Sequence, residues 1–265
     1  MTQWLQRHQR STGHPVAPAQ ALAMVLLRDQ TPPDPRTVFA WLRDGWPDTP
    51  SILNPESQGA ATTAIIQGGA IGFLHVPAAV PEADLAAPVA TAWHWNGAEH
   101  AVKSHQSHVI CYASSTDLSP IELRLLHTRF VAAIAASTAA SAVYVGCAML
   151  LRESAAWILE AREANWEALP ILLWVGFNPV KHDGLISAYT TGLRDFDLLE
   201  FEVHQSTRPA LELLNRLADI AYYAVTTGIQ IGDGHTVGAS EEEHIEVHHA
   251  TSAFLPESTV ALLSL

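Results

Sequence analysis

Residues 71–113 read IGFLHVPAAVPEADLAAPVATAWHWNGAEHAVKSHQSHVICYA. Apolar runs of strand length stand at both ends. Pro77 and Pro81 close the first run, because proline supplies no ladder donor. An alanine-rich segment then predicts a helix over part of residues 82–95, with Pro88 arguing for a break or a late start. It carries Trp93, His94 and Trp95. A polar passage with His105 and His108 leads into the second strand, at residues 108–113.

On the N-terminal side, residues 62–76 hold two β-like runs around Gly68-Gly69 and fit a hairpin or one long bent strand, the hairpin being preferred. Residues 46–58, rich in Pro, Asp, Ser and Asn, read as a loop. Before them Asp34 and Pro35 suit a helix cap and first turn, Val38, Phe39 and Leu42 supply an apolar face, and Gly45 ends the helix. ALAMVLL, residues 21–27, is a strand. Residues before about 16 read as a loose arm or a short helix.

On the C-terminal side, Ser119-Pro120-Ile121-Glu122 is a capping box. The helix it opens runs to about residue 137 and is apolar on most sides, so it is expected to be buried. Residues 142–150 predict a strand, 154–164 a short helix, and 171–177 an apolar strand with a turn at 181–184 and a hairpin partner at 185–191. In residues 198–204, Leu199, Phe201 and Val203 alternate with Glu200, Glu202 and His204, the pattern of a half-buried antiparallel strand with one wet face. Pro209 opens a helix bearing Leu211, Leu214, Leu217, Ala221 and Val225, which Gly228 closes. A loop at 232–238 and strands at 244–249 and 260–263 follow.

Helices and hairpins are thus interspersed with no repeated βαβ rhythm. The expected fold is α+β, with mixed, largely antiparallel sheets, helices on one face and a ferredoxin-like element order in the first half. It forms one continuous domain over residues 1–265, divisible into subdomains 17–116 and 117–265.

The chain carries 14 Lys+Arg against 27 Asp+Glu, a formal net charge of −13, which repels a phosphate backbone and argues against nucleic-acid binding. Only 15% of residues are charged while 48% are hydrophobic, so a partner or a homo-oligomer is expected to cover some apolar surface. Cys111 and Cys147 sit in apolar runs outside any CxxC pair, and both are expected to be buried and reduced. No apolar leader opens the sequence and no run is long enough to span a bilayer. A cytoplasmic protein without membrane contact is the expectation.

The histidines are the first place to seek chemistry. His244, Glu246 and His248 share one strand face, but neighbours two apart are separated by about 6.8 Å, so three ligands would hardly converge on one ion. His105 and His108, spaced as HQSH, read as strand-edge residues, or as the polar rim of a pocket walled by Trp93 and Trp95. These four are the candidate partner-binding residues. No G-x-S-x-G elbow is present. Cys147 after Gly146 lacks a signal for activation, Gly232-Asp233-Gly234 lacks the Lys-Ser/Thr ending of a phosphate loop, and alternation accounts for the polarity of Asp195, Asp197, Glu200 and Glu202. No catalytic residue, metal or cofactor is assigned.

Several ordered pieces carry a resemblance: AMVLL, AIIQGGAIGFLHVPAAVP, ATAWHW, HQSHVICYA, HTRFVAAIAAS with AVYVGCAML, AYTTGLRDFDLLEFEV and GIQIGDGHTVGASEEEHIEV. Together they resemble a bacterial family catalogued as domain of unknown function 4261. The resemblance supplies no catalytic residues. It implies a setting near contact-dependent or type VI secretion genes, and so an accessory or immunity role. The resulting expectation is a non-catalytic protein that neutralises a cognate toxin, with a basic domain as the expected partner, by direct binding. The alternatives are a histidine-dependent, metal-using enzyme and a structural subunit of a secretion assembly.

Overall fold

The computed structural model describes residues 19–49, 52–238 and 243–265. The expected N-terminal arm and the acidic pair Glu241 and Glu242 lie outside the described residues. The first half contains β1 (Ala19–Leu27), α1 (Pro35–Gly45), β2 (Leu53–Gln58), β3 (Ala61–Ile66), β4 (Gly69–Val76), α2 (Glu82–Thr91), α3 (Ala98–Ser104) and β5 (Ser107–Ser115). It continues through α4 (Pro120–Ala136), β6 (Ala140–Val145), β7 (Leu150–Glu153) and α5 (Ser154–Glu163). The second half contains α6 (Ile171–Trp174), β8 (Gly176–His182), β9 (Leu185–Thr191), a 3-10 turn (Leu193–Phe196) and β10 (Glu200–Ser206). Then come α7 (Ala210–Thr227), β11 (Thr236–Val237), β12 (Ile245–Thr251) and β13 (Thr259–Leu263).

The strands form two sheets, ordered β2-β3-β4-β5-β1-β6-β7 and β11-β12-β13-β10-β9-β8. This is an α+β fold. Every pairing in the first sheet is antiparallel. The ferredoxin-like element order is therefore not accompanied by the parallel central pair of a split βαβ unit. In the second sheet β10 and β13 are parallel, and the other pairs are antiparallel.

Local chemistry sets the main helices. The Asp34 carboxylate accepts from the Arg36 and Thr37 amides, and Pro35 stands at the first turn of α1. Ser119 accepts from the Glu122 amide while the Glu122 carboxylate accepts from the Ser119 amide, completing the capping box of α4. Along β1, Ala21, Ala23, Val25 and Leu27 face α4, and Leu22, Met24 and Leu26 face the other way. The larger core runs from this α4 side into the second sheet through Trp157, Trp174, Phe201, Val203 and the buried face of α7. A smaller cluster, with Leu26, Leu85, Val102, Ala142 and Leu151, lies where α2 and α3 cover part of the opposite face.

Several segments differ from their sequence reading. Residues 46–58 are not all loop: β2 is an edge strand whose six residues are all exposed, so pairing with β3, not apolar periodicity, defines it. The run 142–150 is two strands, because Gly146–Met149 turns back, with Met149 at φ 44°. In the run 171–177 the residues after Pro170 form α6 before β8 starts. Helix α2 passes through Pro88, which is buried inside it and leaves the helix without that residue's i→i−4 donor. The strand read as antiparallel with one wet face is instead paired in parallel on one side, and Glu200 and Glu202 are buried.

Candidate interaction surface

Of the four sequence candidates, His105 and His108 adjoin one another along residues 78–80, while Trp93 and Trp95 have other anchors. Trp93 is half exposed, and its indole N–H donates to the Phe177 carbonyl of β8 at 2.9 Å, tying the end of α2 to the second sheet. Trp95 packs partly buried against the smaller core cluster. His105 is buried. Its Nε2 accepts from the Val80 amide, which puts the ring proton on Nδ1, donated to the Val102 carbonyl. Both of its nitrogens are thus spent on the backbone, which explains a histidine here without any chemistry. His108 donates from Nδ1 to the Ala78 carbonyl at 2.8 Å, and its ring is partly open to solvent.

A histidine the sequence reading passed over, His75, lies beside them. The Ser107 hydroxyl gives its proton to the Asp29 carbonyl, so His75 must donate from Nε2 to the Ser107 oxygen. Burial holds both His75 and His108 below the usual histidine range, and each is lowered further by a neighbouring histidine. Strand pairing at period two would have placed Ser107 beside β4; only the position of α3 brings the rest together.

The less expected feature is the face of the first sheet turned away from α4. Beyond the cover of α2 and α3, Leu22 and Met24 of β1, His108, Ile110 and Tyr112 of β5, Leu74 of β4 and Ile65 of β3 lie on that side. Leu22 and Ile65 are half exposed, and Leu74 is 38% exposed. Gly72 makes the centre of this face smooth. A Cβ there would stand 2.6 Å from the Tyr112 hydroxyl and 2.4 Å from the Thr62 carbonyl. The bare backbone lets the Tyr112 ring lie across β4, where its hydroxyl bonds Thr63 at 2.5 Å. The result is a sheet face with an aromatic centre and aliphatic surroundings that no described element covers.

The polar clusters elsewhere are framework. Glu200 accepts from Thr190 Oγ1 at 2.8 Å and from the Gly192 and Arg194 amides at 2.8 and 3.3 Å. It thereby holds the left-handed turn at Gly192, although burial raises its pKa against those bonds. Glu202 is fully buried under residues 252–254 and accepts from Ser252, the Ala253 amide and His204. Ser252 gives its proton to the carboxylate rather than to the imidazole, so Ser252, Glu202 and His204 do not form a nucleophile relay. The strand's alternation is present, but its glutamates satisfy turns inside the protein instead of facing water.

Cys147 is not in a strand as expected; it is exposed on the β6–β7 turn, because Gly146 and Met149 fold the apolar run back. Its thiol donates to Asp195 Oδ2 at 2.8 Å, and Arg124, buried at the start of α4, reaches both groups. Cys111 is buried as expected. His127, one turn along α4 from Arg124, donates to the Cys111 carbonyl and is held neutral, with its pKa pushed down to about 3 by burial and then by Arg124. Near β12, His244, Glu246 and His248 are exposed, with His248 3.8 Å from both Glu246 and Asp233. Among the described residues no group of three His, Cys, Asp or Glu side chains is placed to hold a metal ion.

Residues 189–263 match the family model described as Domain of unknown function (DUF4261). The match spans 75 of the 265 residues, and over that stretch the chain is similar to the DUF4261 family. No curated protein and no solved structure matches it. The DUF4261 stretch runs from the end of β9 through β13, and so contains Glu200, Glu202 and the parallel β10–β13 pair. The open face of the first sheet lies outside it. No helix among the described residues is long and apolar enough to cross a membrane.

Proposed function

We propose that this protein is a non-catalytic cytoplasmic binding protein, an immunity or accessory protein that neutralises a cognate secreted toxin by direct contact. The single observation that carries this reading is the uncovered apolar face around Leu22, Leu74, Ile110 and Tyr112. A contiguous apolar face on an acidic protein suits a partner that buries its centre and meets its charge at the rim. The formal charge of −13 favours a basic partner domain. His108, at the boundary between the open face and the α2–α3 cover, is the sequence candidate that adjoins this contact.

The test is co-expression with the product of each flanking gene, followed by calorimetric titration of the purified pair. A saturable complex and rescue of cells from that product are expected. The variant Leu22→Glu/Leu74→Glu, whose two sites are exposed, should keep its melting temperature and weaken binding at least a hundredfold. Retention of no neighbour-encoded protein, or full binding by the double variant, overturns the reading.

A further inference from the structure

On the α4 side of the first sheet, away from the open face, lies a groove of about 810 Å³. Three helices build it, each with residues one turn apart: Arg36, Ala40 and Asp44 of α1, Ala132 and Ala136 of α4, and Ile158 and Arg162 of α5. The alanines keep the floor low, so that α1 and α5 stand as walls on either side of α4. Trp46 also lines it, its indole N–H donating to the Ala161 carbonyl of α5 at 3.0 Å. Trp41, 38% exposed, lines the groove, and its indole N–H makes no hydrogen bond among the described residues.

The charges at its rim are unusual for this chain. Most described Lys and Arg side chains are engaged: Arg43, Lys103, Arg124, Arg129, Arg152, Arg208 and Arg216 pair with carboxylates, and Arg28 donates to carbonyls. Arg36 and Arg162, like Lys181 and Arg194 elsewhere, make no side-chain hydrogen bond or ion pair among the described residues, and they come from different helices to the same groove. The acid nearest Arg36 in sequence, Asp34, spends its oxygens on the α1 cap. Asp44, also on the rim, is paired with Arg43 at 2.9 Å. An acidic protein thus places around an apolar trough an indole donor and two guanidiniums without a side-chain hydrogen bond or ion pair, Arg36 feeling the charge of the exposed Asp34 carboxylate. Guanidinium groups bind carboxylates by paired N–H donors, and a volume of this size falls within the range of small-molecule sites.

We propose that this groove binds a small amphipathic organic anion, an alkyl or aryl carboxylate. The apolar body lies on Ala40, Ala136 and Ile158 beside Trp41, and the carboxylate meets Arg36 and Arg162. The site is on the opposite side of the sheet from the toxin-binding face proposed above, and stands independently of it.

Decanoate titrated into the full chain, followed through the Trp41 indole N–H resonance assigned by Trp41→Phe, is the test. A saturable shift of that resonance is expected. Arg36→Gln/Arg162→Gln, at two exposed positions, should weaken the affinity at least tenfold, about 1.4 kcal/mol, with the melting temperature unchanged. Ala136→Leu, which raises the floor, should weaken it as well. The proposal is overturned if the resonance does not move, if the glutamine pair binds decanoate equally well, or if 1-decanol, with the same body and no charge, binds as tightly.

Discussion

At the scale of single residues, several buried polar groups, His105, His127 and Glu200 among them, bond to the backbone, and burial has consequences for titration. His127 is neutral in the folded chain, with a pKa of about 3, whereas in the unfolded chain it takes a proton near pH 6.5. Its depressed value means that the stability it allows is fully present above pH 6.5 and is lost as pH falls towards 3, at up to about 1.4 kcal/mol per pH unit. Glu200 works the other way: its raised pKa lets the folded chain accept a proton more readily than the unfolded one, which favours the fold as pH falls. Urea denaturation between pH 7 and 4 should show declining stability, and His127→Gln should flatten that decline by close to one proton. The thiols make a second residue-scale prediction. Ellman's reagent should titrate one thiol in the native chain, the exposed Cys147, and both after denaturation, since Cys111 is buried. This contrast between the cysteines was not legible in the sequence. AVYVGCAMLL is apolar throughout, and only backbone conformation at Gly146–Met149 lifts Cys147 out. Glu200 and Glu202 misled for a related reason: period-two alternation says that two side chains share a face, not whether a loop later covers it.

At the scale of elements, reading succeeded where the signal was local. The Asp34 and Ser119 caps, the Gly68-Gly69 hairpin and the Gly228 stop are all chemistry within a few residues. It failed where an element is defined by its partners: β2 is polar and fully exposed, α6 is a single turn in an apolar run, and α3 follows too closely on the Trp93–Trp95 segment to stand out. Ser119→Ala removes one half of a capping box on an otherwise buried helix, and should cost about 1 kcal/mol in chemical denaturation. Gly192→Ala should cost more, about 2 kcal/mol or above, because φ is 106° there and a Cβ would stand 2.5 Å from the Trp174 carbonyl. Differential scanning calorimetry on the two variants checks the order.

At the scale of the whole molecule, the fold class followed from the mixing of helices and hairpins, whereas neither the open sheet face nor the helical groove was visible, because both arise where elements far apart in sequence meet. The DUF4261 stretch itself cannot be a folding unit by the same logic. It lacks β8, α4 and α6, against which Leu213, Leu217, Phe201 and Val203 share one core. A fragment of residues 189–263 should therefore give no cooperative thermal transition, while the full chain gives one by circular dichroism. The parallel β10–β13 pair has a consequence for synthesis. Every strand of the first sheet has been made by residue 153, so that half can close while translation continues. The second sheet receives β13 in its interior, between β12 and β10, and stays split in two until the ribosome has released residues 259–263. During that interval β10 presents an unpaired edge, which makes the time between synthesis of β10 and of β13 the period when chaperone contact matters most for this chain.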